Sequence, residues 1–376
     1  MKSSNKVKTK ILIVVDTMAI GGTEKITAEL ANSFAERGYE CLILILLNNL
    51  SSVRLVDKNK VKVCTAFRMF KYDPSYLFKI RKIIENYRPD IVLCQALFSY
   101  FSVKIATLLF RKFPMFLALH HTYNVKIKDR IFDIIYFTLL RLTSDKIITV
   151  YTRQMELFSN KYHIPLRQFI CIHNGIDPDY FKNTNLSNDS RRLNIIHIAN
   201  IREEKDQVTL LEALKILDED FQEWQLIFCG KDLINMKYKF IKYLSSKNLE
   251  HKVTFIDYVD DVKALLANAD VFILSSISEA LPVSALEAMS MGVPCILTDV
   301  GGCSDIVDEG INGFLIPPKN PQVMADRLLF LANNPNQLQR MRKEARTKIV
   351  TDFNFESMVN KYIDQFERHL CQEKVV

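Results

Sequence analysis

The sequence predicts an α/β protein made of two doubly wound, Rossmann-like domains that face each other across a cleft. Three observations predict this. The 376 residues exceed an ordinary single core and suit two domains of common size. Short, unbroken apolar runs alternate with stretches of helical periodicity, as strands buried on both faces and their covering helices do. The alternation occurs twice, on either side of the polar stretch 183–192 (NTNLSNDSRR), which has the composition of an exposed linker.

In the first series, the run 10–15 ends in a loop at 16–22. Residues 23–37 then show helical spacing until Gly38 stops it, and 41–47 reads as the next strand. A helix follows at 77–86, and strands at 90–94, 116–120 and 146–150. In the second series the strands are 194–199, 224–229, 253–256, 271–274, 294–297 and 313–316. Helices are expected between them at about 206–217, 261–267, 284–291 and 304–309. The first domain is thus expected over 1–183 and the second over 192–352. A terminal helix at 355–370, with no strand after it, is expected to pack back on the first domain.

Composition narrows the function. Apolar residues make up 48% and charged residues 25%, the balance of a folded globular protein. The net charge of +7 is unevenly spread: about 27 Lys and Arg face about 15 Asp and Glu in residues 1–180, against about 23 and 28 afterwards. No RNA-binding signature, zinc-finger spacing or basic zipper accompanies the basic half, which sets nucleic acid aside and leaves an anionic membrane surface or an acidic small molecule. The eight cysteines include no CxxC pair and lie mostly in apolar runs, which predicts reduced core thiols. No signal peptide is apparent. The most apolar stretch, 101–120, carries Lys104, Arg111 and Lys112, so no membrane span is expected and a cytoplasmic location is.

Ligands of open α/β sheets bind beyond the carboxyl ends of the strands, which directs attention to the loops 16–22, 200–205, 275–283 and 299–302. Gly21 and Gly22 lead into a helix whose free N–H groups suit phosphate oxygens, although a plain tight turn explains them equally. Arg202 and Lys205 follow a strand, where two cations can neutralise a diphosphate leaving group without metal; a solvated helix face is the simpler alternative. Glu279 and Glu287 lie in apolar surroundings, unusual for surface carboxylates. On a regular helix they stand roughly 12 Å apart, which suits a nucleotide sugar laid lengthwise and exceeds the roughly 5–9.5 Å of a glycosidase pair. His120 ends a strand beside His121, where it can bond a sugar hydroxyl or serve only the fold. No third ligand lies at metal spacing, and no metal site is expected.

Six stretches in order, GGTE (21–24), PDIV (89–92), CIHNGIDPDYF (171–181), EEK (203–205), SEALPVSALEAMSMGVP (278–294) and GGCSDIVDEGINGFLIPP (301–318), resemble the family-4 retaining glycosyltransferases of GT-B fold. The resemblance implies transfer of a sugar from a nucleotide diphosphate donor, with retention at the anomeric carbon and no metal or other cofactor. It implies that Lys205 and a nearby arginine hold the diphosphate, Glu279 the donor sugar and Glu287 the ribose. The N–H groups of Val283 and Ser284 add contacts at a helix start, and His120 faces the donor sugar. One position departs from the family pattern GR-x-x-x-x-K, because Ala199 and Asn200 stand where Gly-Arg is common. Arg202 is the nearby arginine expected to replace it.

The expected partners are a nucleotide sugar donor and a glycan or glycolipid acceptor of surface polysaccharide or lipopolysaccharide assembly. The basic first half adds an anionic membrane surface, with 131–142 (IFDIIYFTLLRL) as a surface-seeking helix or simply a core helix. A catalytically impaired sugar-nucleotide-binding scaffold and a sugar-nucleotide isomerase on the same fold are the alternatives.

Overall fold

A computed structural model describes residues 8–70, 73–108, 113–120, 127–183 and 192–373, with the side chains of 127–133 and 372–373 left out. The chain forms two compact units, one of Met1–His173 with Met358–Val376 and one of Asn174–Ser357.

The first unit holds a seven-stranded parallel sheet of β1 (Lys10–Val15), β2 (Glu40–Ile45), β3 (Val61–Thr65), β4 (Ile91–Cys94), β5 (Met115–Leu119), β6 (Lys146–Thr149) and β7 (Phe169–Cys171), in the order β3-β2-β1-β4-β5-β6-β7. Its helices are α1 (Gly22–Glu36), α2 (Ser75–Tyr87), α3 (Leu97–Ala106), α4 (Ile127–Arg141) and α5 (Thr152–Tyr162). Central strands such as β4 (IVLC) and β5 (MFLAL) are buried throughout, as the continuous apolar runs require. The sequence reading omits β3 and β7. β3 (VKVCT) lies at the edge and is partly exposed, so polar residues break its run, and β7 has only three residues.

The second unit holds a six-stranded parallel sheet of β8 (Leu193–Ile198), β9 (Trp224–Cys229), β10 (Val253–Ile256), β11 (Val271–Leu274), β12 (Cys295–Thr298) and β13 (Gly313–Ile316), in the order β10-β9-β8-β11-β12-β13. Its helices are α6 (Gln207–Asp220), α7 (Lys237–Ser246), α8 (Lys263–Ala267), α9 (Val283–Ser290), α10 (Cys303–Ile306), α11 (Pro321–Asn333) and α12 (Pro335–Asp352). The helix expected at 304–309 is only the single turn α10, because Val307 takes extended backbone and ends it.

The terminal helix α13 (Phe355–Glu373) packs into the first unit. Phe366, fully buried, meets the rings of Phe34 at 5.6 Å and Phe116 at 5.0 Å. Aromatic pairs at these separations add to what burial alone contributes.

The stretch 101–120 divides into the end of α3 and the strand β5, and among the described residues no helix is long and apolar enough to cross a membrane. On α4, Phe137 and Leu140 are buried in the core, whereas Ile134, Ile135 and Leu139 are exposed, as is Leu142 just beyond the helix. The helix therefore has both a core face and an exposed apolar face. All eight cysteines are free; five are buried, and Cys371 is exposed. The polar stretch at 184–191 and His121 lie outside the described residues.

Candidate active site

In each sheet the chain winds outward in one direction, then returns to the centre and winds in the other. The crevice at this reversal is where such folds bind ligands, because the loops leave the two central strands to opposite sides. In the second unit the reversal falls between β8 and β11, which pair in parallel with Phe272 opposite Ile196. Lys205 comes from the loop after β8 and Glu279 from the loop after β11.

These two side chains meet. Lys205 Nζ donates to Glu279 Oε1 at 2.5 Å, with Lys205 about a quarter exposed and Glu279 8% exposed. Ser276 Oγ donates to the same carboxylate oxygen at 2.6 Å. The loops that carry them are stitched together: Ile277 N–H donates to Glu204 O at 2.9 Å, and Ser275 Oγ donates to Lys205 O at 3.0 Å. Thr298 Oγ1, at the end of β12, donates to Ser276 O at 2.5 Å. Lys205 is thus held as a fixed cation at the sheet edge, with its charge only partly screened. Ser275 and Ser276 were not picked out in the sequence; their one signal was their place directly after the apolar run of β11.

The loop from Glu279 enters α9, whose N-cap is Pro282, without a side-chain cap. The N–H groups of Val283 and Ser284, both half-buried, donate to nothing among the described residues. Uncapped N–H groups at a helix start attract anions, and Pro282 has no N–H to add. One turn further on, Glu287 is buried, 6% exposed, on the same helix.

Asn200 and Arg202 stand apart from the Lys205–Glu279 pair. Asn200 Oδ1 accepts from Lys231 N–H at 3.1 Å, and its carbonyl accepts from Gln207 Nε2 at 3.1 Å, so the residue joins the β8 and β9 loops. Arg202 is exposed, extended at φ −148°, and its guanidinium has no bond or ion pair among the described residues. Glu203 and Glu204 are exposed beside it.

The remaining predicted residues belong to the first unit, at its own reversal between β1 and β4. Gly21 caps α1 in extended conformation, and α1 starts at Gly22. The Glu24 carboxylate lies over this terminus: its Oε2 is 2.6 Å from where a Cβ on Gly21 would stand, and its Oε1 accepts from Thr17 Oγ1 at 3.2 Å. The helix start thus carries its own negative charge. His120, at the end of β5, bonds through Nε2 to Gln95 Oε1 at 2.6 Å. Asp16, after β1, accepts from Ser99 N–H at 3.0 Å, and burial pushes its carboxyl up to about 6 against the lowering pull of the Ser99 bonds. Sequence reasoning did not name Gln95 and took Asp16 only as the start of the loop 16–22, although both directly follow strand runs.

Among the described residues no three His, Cys, Asp or Glu side chains converge as metal ligands would. The family model Glycosyl transferases group 1 matches residues 181–348, and Glycosyltransferase Family 4 matches 20–180. The chain is similar to N-acetyl-alpha-D-glucosaminyl L-malate synthase of Bacillus anthracis, 23% identical over 92% of this chain and 93% of the relative. It is also similar to the UDP-Gal:alpha-D-GlcNAc-diphosphoundecaprenol alpha-1,3-galactosyltransferase of Escherichia coli, 24% identical over 59% of each chain. The crystal structure of Anabaena HepE in complex with UDP superposes with a TM-score of 0.83 at 17% identity, over 96% of this chain and 100% of that one. With consecutive family models over both sheets and the same fold in this neighbour, the chain belongs to the group 1, family-4 glycosyltransferases of GT-B fold.

Proposed function

We propose that this glycosyltransferase moves a hexose from a nucleotide diphosphate sugar to a glycan or lipid-linked glycan acceptor, with retention at the anomeric carbon and no metal requirement. The observation that carries the reading is the Lys205–Glu279 pair beside the open N-terminus of α9. As the bond from the anomeric carbon to the diphosphate breaks, its electrons pass to the phosphate oxygens. Lys205, the free N–H groups of Val283 and Ser284, and the exposed guanidinium of Arg202 supply positive charge for them. Charge placed in advance stabilises a transition state most, which is why two cations can serve where other enzymes use a metal ion. Glu279 accepts hydrogen bonds from sugar hydroxyls, and buried Glu287 accepts them from the ribose diol. His120, in the first unit, serves a sugar hydroxyl. Binding of one nucleoside diphosphate, in preference to the others, is the first test.

Asn200 favours a second reading, a sugar-nucleotide-binding scaffold, because its side chain is committed to the Lys231 main chain at the position where the pattern GR-x-x-x-x-K has arginine. Turnover that is lost on removing Lys205 decides for the enzyme.

The acceptor side adds a membrane surface to the proposal. The exposed Ile134, Ile135, Leu139 and Leu142 lie beside exposed Arg141 in the more basic half of the chain. An apolar helix face flanked by cations binds anionic bilayers without spanning them. Flotation with anionic liposomes should carry the protein upward, and replacing Ile134, Ile135 and Leu139 by serine should abolish it. Equal flotation of the variant, or none of the wild type, removes the membrane from the account.

A further inference from the structure

Arg68 leaves the carboxyl end of β3, where its main-chain N–H donates to Leu46 O at 3.1 Å. The residues after β2 continue this ladder inward: Leu46 N–H donates to Val15 O at 3.1 Å, and Leu47 N–H to Asp16 O at 2.8 Å. The Arg68 side chain does not stay at the sheet edge. Its guanidinium lies 4.9 Å over the ring of Phe98 on α3, the helix that follows β4, which brings it from β3 to the reversal between β1 and β4. There Ser99, next to Phe98, donates its N–H to Asp16 Oδ1 at 3.0 Å, and Asp16 lies in the fields of Glu24 and Arg68.

Both sides of the stacked contact are held. Phe98 stacks in turn on Tyr76 of α2 at 6.0 Å, and the Tyr76 hydroxyl shares a bond with Ser102 Oγ at 3.0 Å. After Arg68, buried Asp73 accepts from Met69 N–H at 2.9 Å and from Ser75 N–H at 2.8 Å, which fixes the path of the loop. Arg68 itself is half-buried, and its guanidinium makes no hydrogen bond or ion pair among the described residues. Stacking occupies the flat face of the group and leaves the N–H edge, a planar fork that matches two oxygens of one oxyanion. Asp16 and Glu24 repel a bare anion but accept from hydroxyls, so the ligand that suits all three side chains carries hydroxyls beside its oxyanion.

We propose that Arg68 holds the phosphate of a sugar phosphate at this edge of the first unit, the phosphate belonging to a lipid carrier or to a free sugar phosphate. The assignment rests on the reading of the chain as a glycosyltransferase and deepens it, because it makes the acceptor anionic and names the residue that recognises its charge. Exposed Met69 and Phe70, directly after Arg68, offer apolar surface to a carrier chain.

The test compares the full-length protein with Arg68→Gln and Arg68→Lys, using glucose 1-phosphate, decyl glucosyl phosphate and the neutral decyl glucoside as probes. UDP, GDP and ADP are supplied together, so that a nucleotide site is already filled. Hydrogen exchange should slow around Arg68 and Phe98 when either phosphate is added to the wild type. Decyl glucosyl phosphate should bind the wild type about tenfold tighter than decyl glucoside does, as lost charge-assisted bonds would require. Arg68→Gln should weaken both phosphates about tenfold and leave decyl glucoside within about twofold; Arg68→Lys, which keeps the charge without the fork, should recover part of the loss. Tighter binding of the decyl phosphate than of glucose 1-phosphate identifies a lipid carrier as the source, and equal binding a free sugar phosphate. Equal affinity of the wild type for the charged and neutral decyl probes overturns the proposal, as does Arg68→Gln binding both phosphates as well as the wild type, or protection confined to the second unit. Failure of the wild type to bind any of the three nucleotides would instead count against the proposed function, with the sugar phosphates still deciding the Arg68 site.

Discussion

Lys205→Ala is expected to slow transfer about a hundredfold, equivalent to about 3 kcal/mol of lost transition-state stabilisation. The physical reason is that the departing diphosphate gains charge as the sugar bond breaks, and Lys205 is held for it before the reaction starts by Glu279 and by the bond from Ser275 to its main chain. Removing the ammonium also leaves the Glu279 carboxylate buried with Ser276 as its remaining side-chain donor among the described residues, so some stability is lost as well. The two effects separate when kcat is measured well below the melting temperature and compared with Glu279→Gln. Because the residues form one unit, the double variant should be little slower than the worse single one. A rate for Lys205→Ala within about threefold of wild type takes the lysine out of the chemistry.

The second large effect is expected at Gly301, which stands in the turn after β12. Its φ of +58° lies in the left-handed region, and a Cβ there would sit 1.6 Å from the main-chain oxygen of Glu279. That atom is backbone and cannot swing aside, so Gly301→Ala must displace the very loop that presents Glu279, and with it the bond from Gly302 N–H to Ala280 O at 2.6 Å. Left-handed backbone alone costs an alanine about 1 kcal/mol, and the clash brings the expected loss to about 3 kcal/mol or more. Urea denaturation should show the lower midpoint, and activity should fall together with stability. A variant that melts within about 1 kcal/mol of wild type would mean that the turn is looser than its geometry indicates.

Much of the fold was legible because the informative elements are buried. Trp224–Cys229, Val253–Ile256, Val271–Leu274 and Gly313–Ile316 are strands at the expected bounds; the central Val271–Leu274 shows the unbroken apolar run of a sandwiched parallel strand, whereas Val253–Ile256 is a partly exposed edge strand whose run only Thr254 interrupts. Helices α3, α5, α7, α11 and α12 went unremarked, and scarce apolar surface accounts for only some of them, since six of the ten residues of α3 are buried. On α7 only Phe240 and Leu244 are buried, and α12 is largely polar around Leu338, Met341, Ala345 and Ile349. For the site, sequence order brought out Lys205 and Glu279 separately, but their bond depends on β8 and β11 being neighbours, a long-range pairing that periodicity does not reveal. The same applies to Gln95 and His120, which meet because β4 and β5 are adjacent. The phosphate reading of Gly21 and Gly22 could not foresee that Glu24 folds back over the helix start, since that depends on a rotamer.

The measurement that tests the central claim most directly is a thermal-shift panel with UDP, GDP, ADP, CMP and dTDP on the wild-type protein. A ligand at a hundred times its dissociation constant adds about 2.7 kcal/mol, which for a unit of this size raises the midpoint by about 5–10 °C. One nucleoside diphosphate should produce that shift, and the Lys205→Ala variant should show clearly less of it. No shift with any of the five would contradict a diphosphate site built from Lys205, Val283 and Ser284.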